Sequence, residues 1–521
     1  MLRWAIEATA LALILTVGQG CGSNKASPPG NGGDGGVDGS ADTGVPEAST
    51  EAGDAGDAGT TCGTKPPTGT QLVASAHPLV VLSLTGDDHA VYEDLTTQEL
   101  YAVAAGGGTP SDIGKMTSQG RTVWSHGSSV LYLPIAADPS TSVAPISSWT
   151  AAAGTSVIST SAVAVDSYYY TYDASKDGLY VAYFATTDAM TATLTVSTID
   201  GKTQTPLVPN IDLTDQSCFP PAVQFVNDTV VAQYCLIPVP TADAGTPAET
   251  ASIAAFTAPA FTAVTLGSTF TPSAGPVTVD PTGKLALLVS PSGSGLSLYP
   301  LAGGAPVLVD ANGVSGLFTT TGDILYTTTS SSLVRYTAST AMSTTLVTSG
   351  VAIPFDVSPD GNWVQTASKQ NATTGLTDLS LASATTPGPV TSIVKTTTAS
   401  PEGFTVDSKY SVFGTNFPMD FGPVTYDLEA STTAGGAPSK VLSVASGALF
   451  TAGSKLVCNT NQSKATGAAD IVSIDLSSTA PPTTLVTQAD PNLFLTSKGL
   501  VVYSWYCNEG GMAGVWTLTA P

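Results

Sequence analysis

The stretch FDVSPDGNWVQTA, Phe355 to Ala367, is a short apolar run, a Pro-Asp-Gly turn and a second run ending in small residues. Proline presets the φ of a turn and glycine accepts left-handed backbone, so these thirteen residues read as a β-hairpin. A second copy, YDASKDGLYVAYF (Tyr172 to Phe184), keeps the order Asp-x-Ser-x-Asp-Gly-x-x-Val. VTVDPTGKLALLV (Val277 to Val289), LFTTTGDILYTT (Leu317 to Thr328) and FTVDSKYSVFG (Phe404 to Gly414) are looser versions.

Working outward, the turns fall at Gly86, Gly127, Gly178, Asp228, Gly283, Gly322, Gly361, Lys409, Gly453 and Lys498, at spacings between 39 and 55 residues. Each interval has room for two further strands, as in TDLSLASATTPGPVTSIV (Thr377 to Val394). Four strands in about 40–50 residues is the period of a β-propeller blade. The widest interval absorbs the Pro/Ala-rich insertion VPTADAGTPAETA (Val239 to Ala251). The expected fold is therefore all-β: a propeller of four-stranded antiparallel blades, about 7–10 repeat units, preceded by a disordered linker. A split into two smaller rings near residues 240–272 stays open. The strand TQLVASA (Thr70 to Ala76) is expected to pair with the last unit (Leu493 to Pro521), closing the ring and hiding an open edge.

Composition agrees. Only 11% of the 521 residues are charged while 42% are hydrophobic, and Thr, Val, Tyr and Ser recur where helix formers are scarce. Sixteen Lys and Arg against 40 Asp and Glu give a net charge of −24, which excludes a nucleic-acid partner and a basic membrane patch.

The Ser-Pro-Asp-Gly hairpins resemble those of TolB-type and WD-repeat-like β-propellers of bacterial envelopes, a resemblance that implies a fold and no activity. The N-terminus adds a location. Residues 1–20, MLRWAIEATALALILTVGQG, read as a signal peptide whose apolar segment is too short to span a bilayer. With the following cysteine they resemble a bacterial lipoprotein signal, although Gly18 stands where that pattern prefers an aliphatic residue. The resemblance implies acyl chains on Cys21, and Gly22 in place of aspartate implies an outer-membrane destination, on either face. Ordinary secretion, a periplasmic location or an uncleaved anchor are the alternatives. Residues 21–69, rich in Gly, Asp, Ser and Pro, cannot bury enough apolar area to order and read as a tether to a propeller domain at 70–521.

Cysteines outside the cytoplasm are expected to pair. Cys218–Cys235 is the preferred disulfide, since Pro220-Pro221 lets the chain curl back toward a hairpin partner. Cys458 and Cys507 lie on second strands of adjacent units and form the next candidate pair; Cys62 is left over or pairs with either.

Chemistry is sparse. The three histidines, His77, His89 and His126, all fall early in the chain and cannot ring an axis. Asp87, Asp88 and His89 form a turn that supplies no third side to a metal. Asp173 to Gly178 resembles half a calcium loop, but the twelfth position holds Phe184 and not a bidentate acid. SYYYTYD (Ser167 to Asp173) and YSWYCNEGG (Tyr503 to Gly511) read as blade packing before ligand stacking. No nucleophile elbow, zinc signature, phosphate loop or dinucleotide fingerprint occurs, so no metal and no cofactor is expected. The leading expectation is a lipid-anchored, non-enzymatic binding or scaffold module for an envelope protein or glycan. The alternative is a propeller hydrolase or lyase using acids at first-strand ends: Asp166, Asp280, Asp356 and Asp407.

Overall fold

The computed structural model describes residues 69–520, apart from 117–122, 135–142, 164–170, 187–189, 215–220, 238–249, 269–276, 291–294, 370, 372–376, 397–398, 418–425, 464–467 and 506–512. Among the described residues every helix-or-strand element is a β-strand, and every pairing is antiparallel. The strands fall into ten successive four-stranded blades. Their innermost strands are Leu79–Leu84, Val123–His126, Tyr172–Ala174, Ala222–Val226, Thr278–Val279, Gly313–Phe318, Ile353–Val357, Ala399–Phe404, the C-terminal half of Ser439–Phe450, and Phe494–Leu495; the blades are numbered 1 to 10 in that order. Each of the ten turn markers lies in the hairpin between the first and second strand of its blade.

Blade 10 takes its fourth strand from the other end of the chain. Thr70–Ala74 pairs with Gly514–Thr519, with Thr70 opposite Thr517 and Ala74 opposite Gly514. One strand serves two blades: Ser439–Phe450 pairs through Ser439–Ala445 with Tyr426–Thr432 of blade 8, then through Ala445–Phe450 with Lys455–Thr460 of blade 9.

The core is divided in the same way. A separate apolar cluster fills each junction between consecutive blades, from Val91, Leu100 and Val130 between blades 1 and 2 to Val457, Val486 and Tyr503 between blades 9 and 10. A tenth cluster, with Val81, Ala90, Val502 and Val515, joins blade 10 back to blade 1. Middle strands are covered on both faces. In Leu500–Trp505, Val501 and Tyr503 pack toward blade 9 while Val502 packs toward blade 1. Double coverage explains why such strands read LVVYSW or YVAYF as near-continuous apolar runs, and why charge is so scarce.

Polar bridges tie the junctions. Asp173 of blade 3 accepts from Phe225 N of blade 4 at 2.7 Å. Gln224 Nε2 of blade 4 donates to Val277 O at the entrance to blade 5 at 2.9 Å. Asp88 of blade 1 accepts from Ser497 N and Oγ of blade 10 at 2.8 and 2.6 Å.

Candidate functional site

The repeated turn acids are structural. Ser175, Ser358, Thr405 and Thr85 each donate their hydroxyl to the aspartate two residues on, at 2.6, 2.6, 2.8 and 2.6 Å, and accept from a backbone N–H four or five residues on. The side chains thereby close the hairpin, as Ser/Thr and Asx turns do. Asp407 belongs to this scheme, and Asp280 stands in the place of its Ser or Thr, accepting from Thr282 Oγ1 and Leu285 N. Burial pushes the Asp407 carboxyl up, but hydrogen bonds from Ser454, Thr405 and Lys409 outweigh it and hold it down to about 2. Asp280 is likewise lowered: burial is overcome by Thr282, Leu285 and Lys284 donating to it. Neither can exchange protons near neutral pH, so both leave the candidate set. Asp166 lies outside the described residues.

Asp356 differs. It is solvent-exposed as a residue on the innermost strand of blade 7, yet burial around its carboxyl raises it against a hydrogen bond from Val357 N at 2.8 Å. Across from it lies Gly403 of blade 8, with φ +117. A Cβ built on Gly403 would stand 3.2 Å from Asp356 Oδ2 and 3.4 Å from the Phe450 ring of blade 9. Glycine is required here both by the left-handed backbone and by the space two neighbouring blades occupy.

The residue before it is the acid that sequence reasoning missed. Innermost strands of blades 1, 7 and 8 carry a β-bulge three residues before the turn Ser or Thr. Register jumps from Val81 to Ser83, from Pro354 to Asp356 and from Pro401 to Gly403. The unpaired residues are Leu82, Phe355 and Glu402. Leu82 and Phe355 pack against the apolar cluster at the next junction. Blade 8 puts a glutamate at that position. Glu402 is half-buried, and its Oε1 is buried with no hydrogen-bond partner among the described groups. Burial pushes the carboxyl up to about 7, against a hydrogen bond from Tyr426 that favours the charged form. A bulge re-aims a side chain, and an acid held at such a proton affinity is suited to proton transfer at neutral pH.

Gln365 supports the same junction. Fully buried and opposite Asp356 in register, it donates through Nε2 to Gly403 O, Ser411 Oγ and Val412 O at 3.2, 2.7 and 3.1 Å. Its Oε1 finds no partner among the described groups.

Cys458 stands nearby on blade 9, where burial, aided by the Glu402 charge, pushes its thiol up. It is free, so the proposed pairing with Cys507 is not formed; a buried second strand leaves its sulfur facing the blade 8–9 cluster. Cys235 is disulfide-bonded, while Cys21, Cys62, Cys218 and Cys507 lie outside the described residues.

The remaining expected features do not converge on these acids. His77 Nδ1 meets Asp94 at 2.8 Å and His89 packs edge-on against Trp149, both in blades 1 and 2. His126 ends the innermost strand of blade 2. Asp87 and Asp88 are taken by Thr85 and Ser497. Asp173 accepts from Ala174 N as well as Phe225 N, a fastening role in place of a calcium ligand, and Phe184 is core. Tyr172, Tyr503 and Trp505 are buried blade packing. Among the described residues no group of three metal-ligating side chains forms. Two cavities, about 380 Å³ between blades 4 and 5 and about 360 Å³ at the seam of blades 10 and 1, touch neither Asp356 nor Glu402.

No family model and no curated protein matches the sequence. Solved structures do match in fold. The tricorn protease is 10% identical, over 84% of this chain and 51% of its own, with a TM-score of 0.31; the chain thus spans about half its length. Dipeptidyl peptidase 4 from Porphyromonas gingivalis is 11% identical, over 84% and 65%, with a TM-score of 0.39. TolB from Acinetobacter baumannii is 14% identical, over 57% and 79%, with a TM-score of 0.25. The propeller itself rests on the ten blades and the closing pairing of Thr70–Ala74 with Gly514–Thr519. Two of the three solved structures are named as peptidases, which stands against the expectation of a non-enzyme.

Proposed function

We propose that the chain is a propeller enzyme of hydrolase or lyase type, in which carboxylates on innermost strands move protons. One observation carries the reading: Glu402 occupies a bulge position where sister blades place Leu82 and Phe355, with a carboxyl pushed up to about 7. A local rule broken in one repeat without an evident packing gain supports reading the position as functional. Asp356, raised by burial beside Gly403, is the second proton-carrying group. The peptidase activity in the names of two fold neighbours is compatible with this class at the level of fold alone. For location, the sequence supports anchoring at the cell envelope through acyl chains on Cys21, with residues 21–69 as tether.

The chemistry is tested by incubating the purified chain and its Glu402→Gln variant with pooled envelope glycans and peptides. Products formed by the first and lost with the second support it; identical product profiles refute it. Labelling with a clickable fatty acid in wild type and Cys21→Ser tests the anchor, and undiminished label in the variant removes it.

A further inference from the structure

The cavity of about 380 Å³ between blades 4 and 5 stands apart from the acids of blades 7 and 8, and the sequence of blade 5 carves it. Strand pairing runs unbroken through blades 2, 3 and 4 and stops at Thr262–Ser268, the outer strand of blade 4. No described strand pair crosses to blade 5, so side chains alone set the width of that junction. Toward blade 4, blade 5 presents Ala286 opposite Tyr299 and Leu288 opposite Ser297. Toward blade 5, blade 6 presents Ile324 opposite Tyr336 and Tyr326 opposite Val334 at the same places. Alanine, leucine and serine thus stand where the neighbouring blade packs isoleucine, tyrosine and valine, and the missing volume opens the cavity.

We infer that this cavity binds an uncharged sugar unit, at a site separate from the proposed acid–base chemistry. The volume sits near the small end of ligand sites, which run from about 300 to 1,000 Å³. Among the described residues that line it none is charged, which leaves a phosphate, a uronate or a zwitterion without a counter-ion. A net charge of −24 adds long-range repulsion of polyanions.

The lining is divided as a sugar is. Val264, Leu266 and Leu288 supply an apolar wall for the carbon-bound hydrogens of a ring face. Thr265, Ser297 and Tyr299 bring hydroxyls, which both donate and accept as sugar hydroxyls do. A purely apolar ligand would dry these hydroxyls without replacing their water. An extended peptide would need the ladder edge of Thr262–Ser268, and that edge is broken where Leu266 bulges unpaired between Thr265 and Gly267. Thr265, Gly304 and Pro306 are exposed, so the cavity reaches the surface. Leu308, 62% exposed, lies opposite Ser297 in register. It therefore continues the same face of blade 5 toward the rim, an apolar shelf for the next unit of a saccharide chain.

The full chain is tested by saturation-transfer NMR with maltose, cellobiose and chitobiose at millimolar concentration. Glucuronate, glucosamine and a capped apolar tripeptide are the charged and peptide probes. The expected result is transfer to one neutral disaccharide, strongest on a single ring face, and a Tm raised by that sugar. Ser297→Val copies the blade 6 side chain and is expected to abolish transfer without lowering the sugar-free Tm. Ser297→Ala cannot overpack the site and weakens binding by about three- to tenfold. Glu402→Gln leaves transfer intact. Transfer that survives both Ser297 variants overturns the site; if Glu402→Gln abolishes it, the sugar sits at that acid and the acid–base reading stands. Transfer to the tripeptide or a charged probe in place of the sugars, lost with Ser297→Val, overturns the ligand class. No transfer to any neutral sugar overturns the inference outright.

Discussion

Replacing Glu402 by leucine restores to blade 8 what blade 1 has at Leu82, and its effect on stability depends on pH with a fixed sign. The unfolded carboxyl titrates near 4.5 and the folded one at about 7. Below about 4.5 both states hold the proton and the wild type keeps its full stability. Between these values the unfolded chain releases the proton while the folded chain retains it, so folding loses stability as pH rises. Above about 7 the loss is complete. At about 1.36 kcal/mol per tenfold change in proton affinity, the loss approaches about 3 kcal/mol, an upper figure because the side chain is only half-buried. With about 2.1 cal/mol/K of unfolding entropy per residue over roughly 450 folded residues, that corresponds to about 3 °C in Tm. Glu402→Leu removes the titrating group. Its Tm minus that of the wild type is therefore expected to rise by about 3 °C between pH 4 and pH 8. Differential scanning calorimetry at half-unit pH steps reads this directly. Parallel Tm profiles, or a difference growing toward low pH, would refute the burial argument for Glu402.

Cutting the chain between Ala74 and Leu79 removes the covalent link of the closing strand, and deleting Thr70–Ala74 should lower Tm and yield dimers by size-exclusion chromatography through the bared edge of Gly514–Thr519. A monomer of unchanged Tm would contradict the seam. Asp173→Ala leaves Phe225 N–H unpaired in the core and should cost about 1–3 kcal/mol in urea unfolding, against a far smaller effect for Asp112→Ala at an exposed edge-strand position. Equal effects would deny Asp173 its bridging role. Cys458, buried and with its thiol pushed up, should resist iodoacetamide in the native state and react on unfolding, as peptide mapping would report. Native alkylation would place its sulfur at the surface.

Much of the scaffold could be read from turn chemistry. The Ser-x-Asp-Gly order names a hairpin, and its recurrence names a blade, because the side chains that close each turn are the ones the sequence repeats. The closing role of Thr70–Ala74 was equally legible, since an unassigned strand and an incomplete last unit need one another. The site was not. Asp280 and Asp407 attract notice because they recur, and they recur because turn hydrogen bonds need them, which is why their protons are held so weakly. Glu402 hides because a bulge breaks the two-residue period that assigns faces to a strand. Its signal is comparative: three residues before the turn hydroxyl, LSLTG, FDVSP and EGFT offer Leu82, Phe355 and Glu402. Cys458 misled for a related reason, because spacing along the chain says nothing of which junction a second strand turns its sulfur toward.

The seam sets how the ring would respond to a pull. Chain arriving from before residue 69 joins the outer rim of blade 10, at a strand whose pairing among the described strands is with Gly514–Thr519 alone. Tension applied from the N-terminal side would reach that clasp before any other blade bears load, and the wheel would come undone there first, its other blades left as an open arc able to reclose when the strain is released.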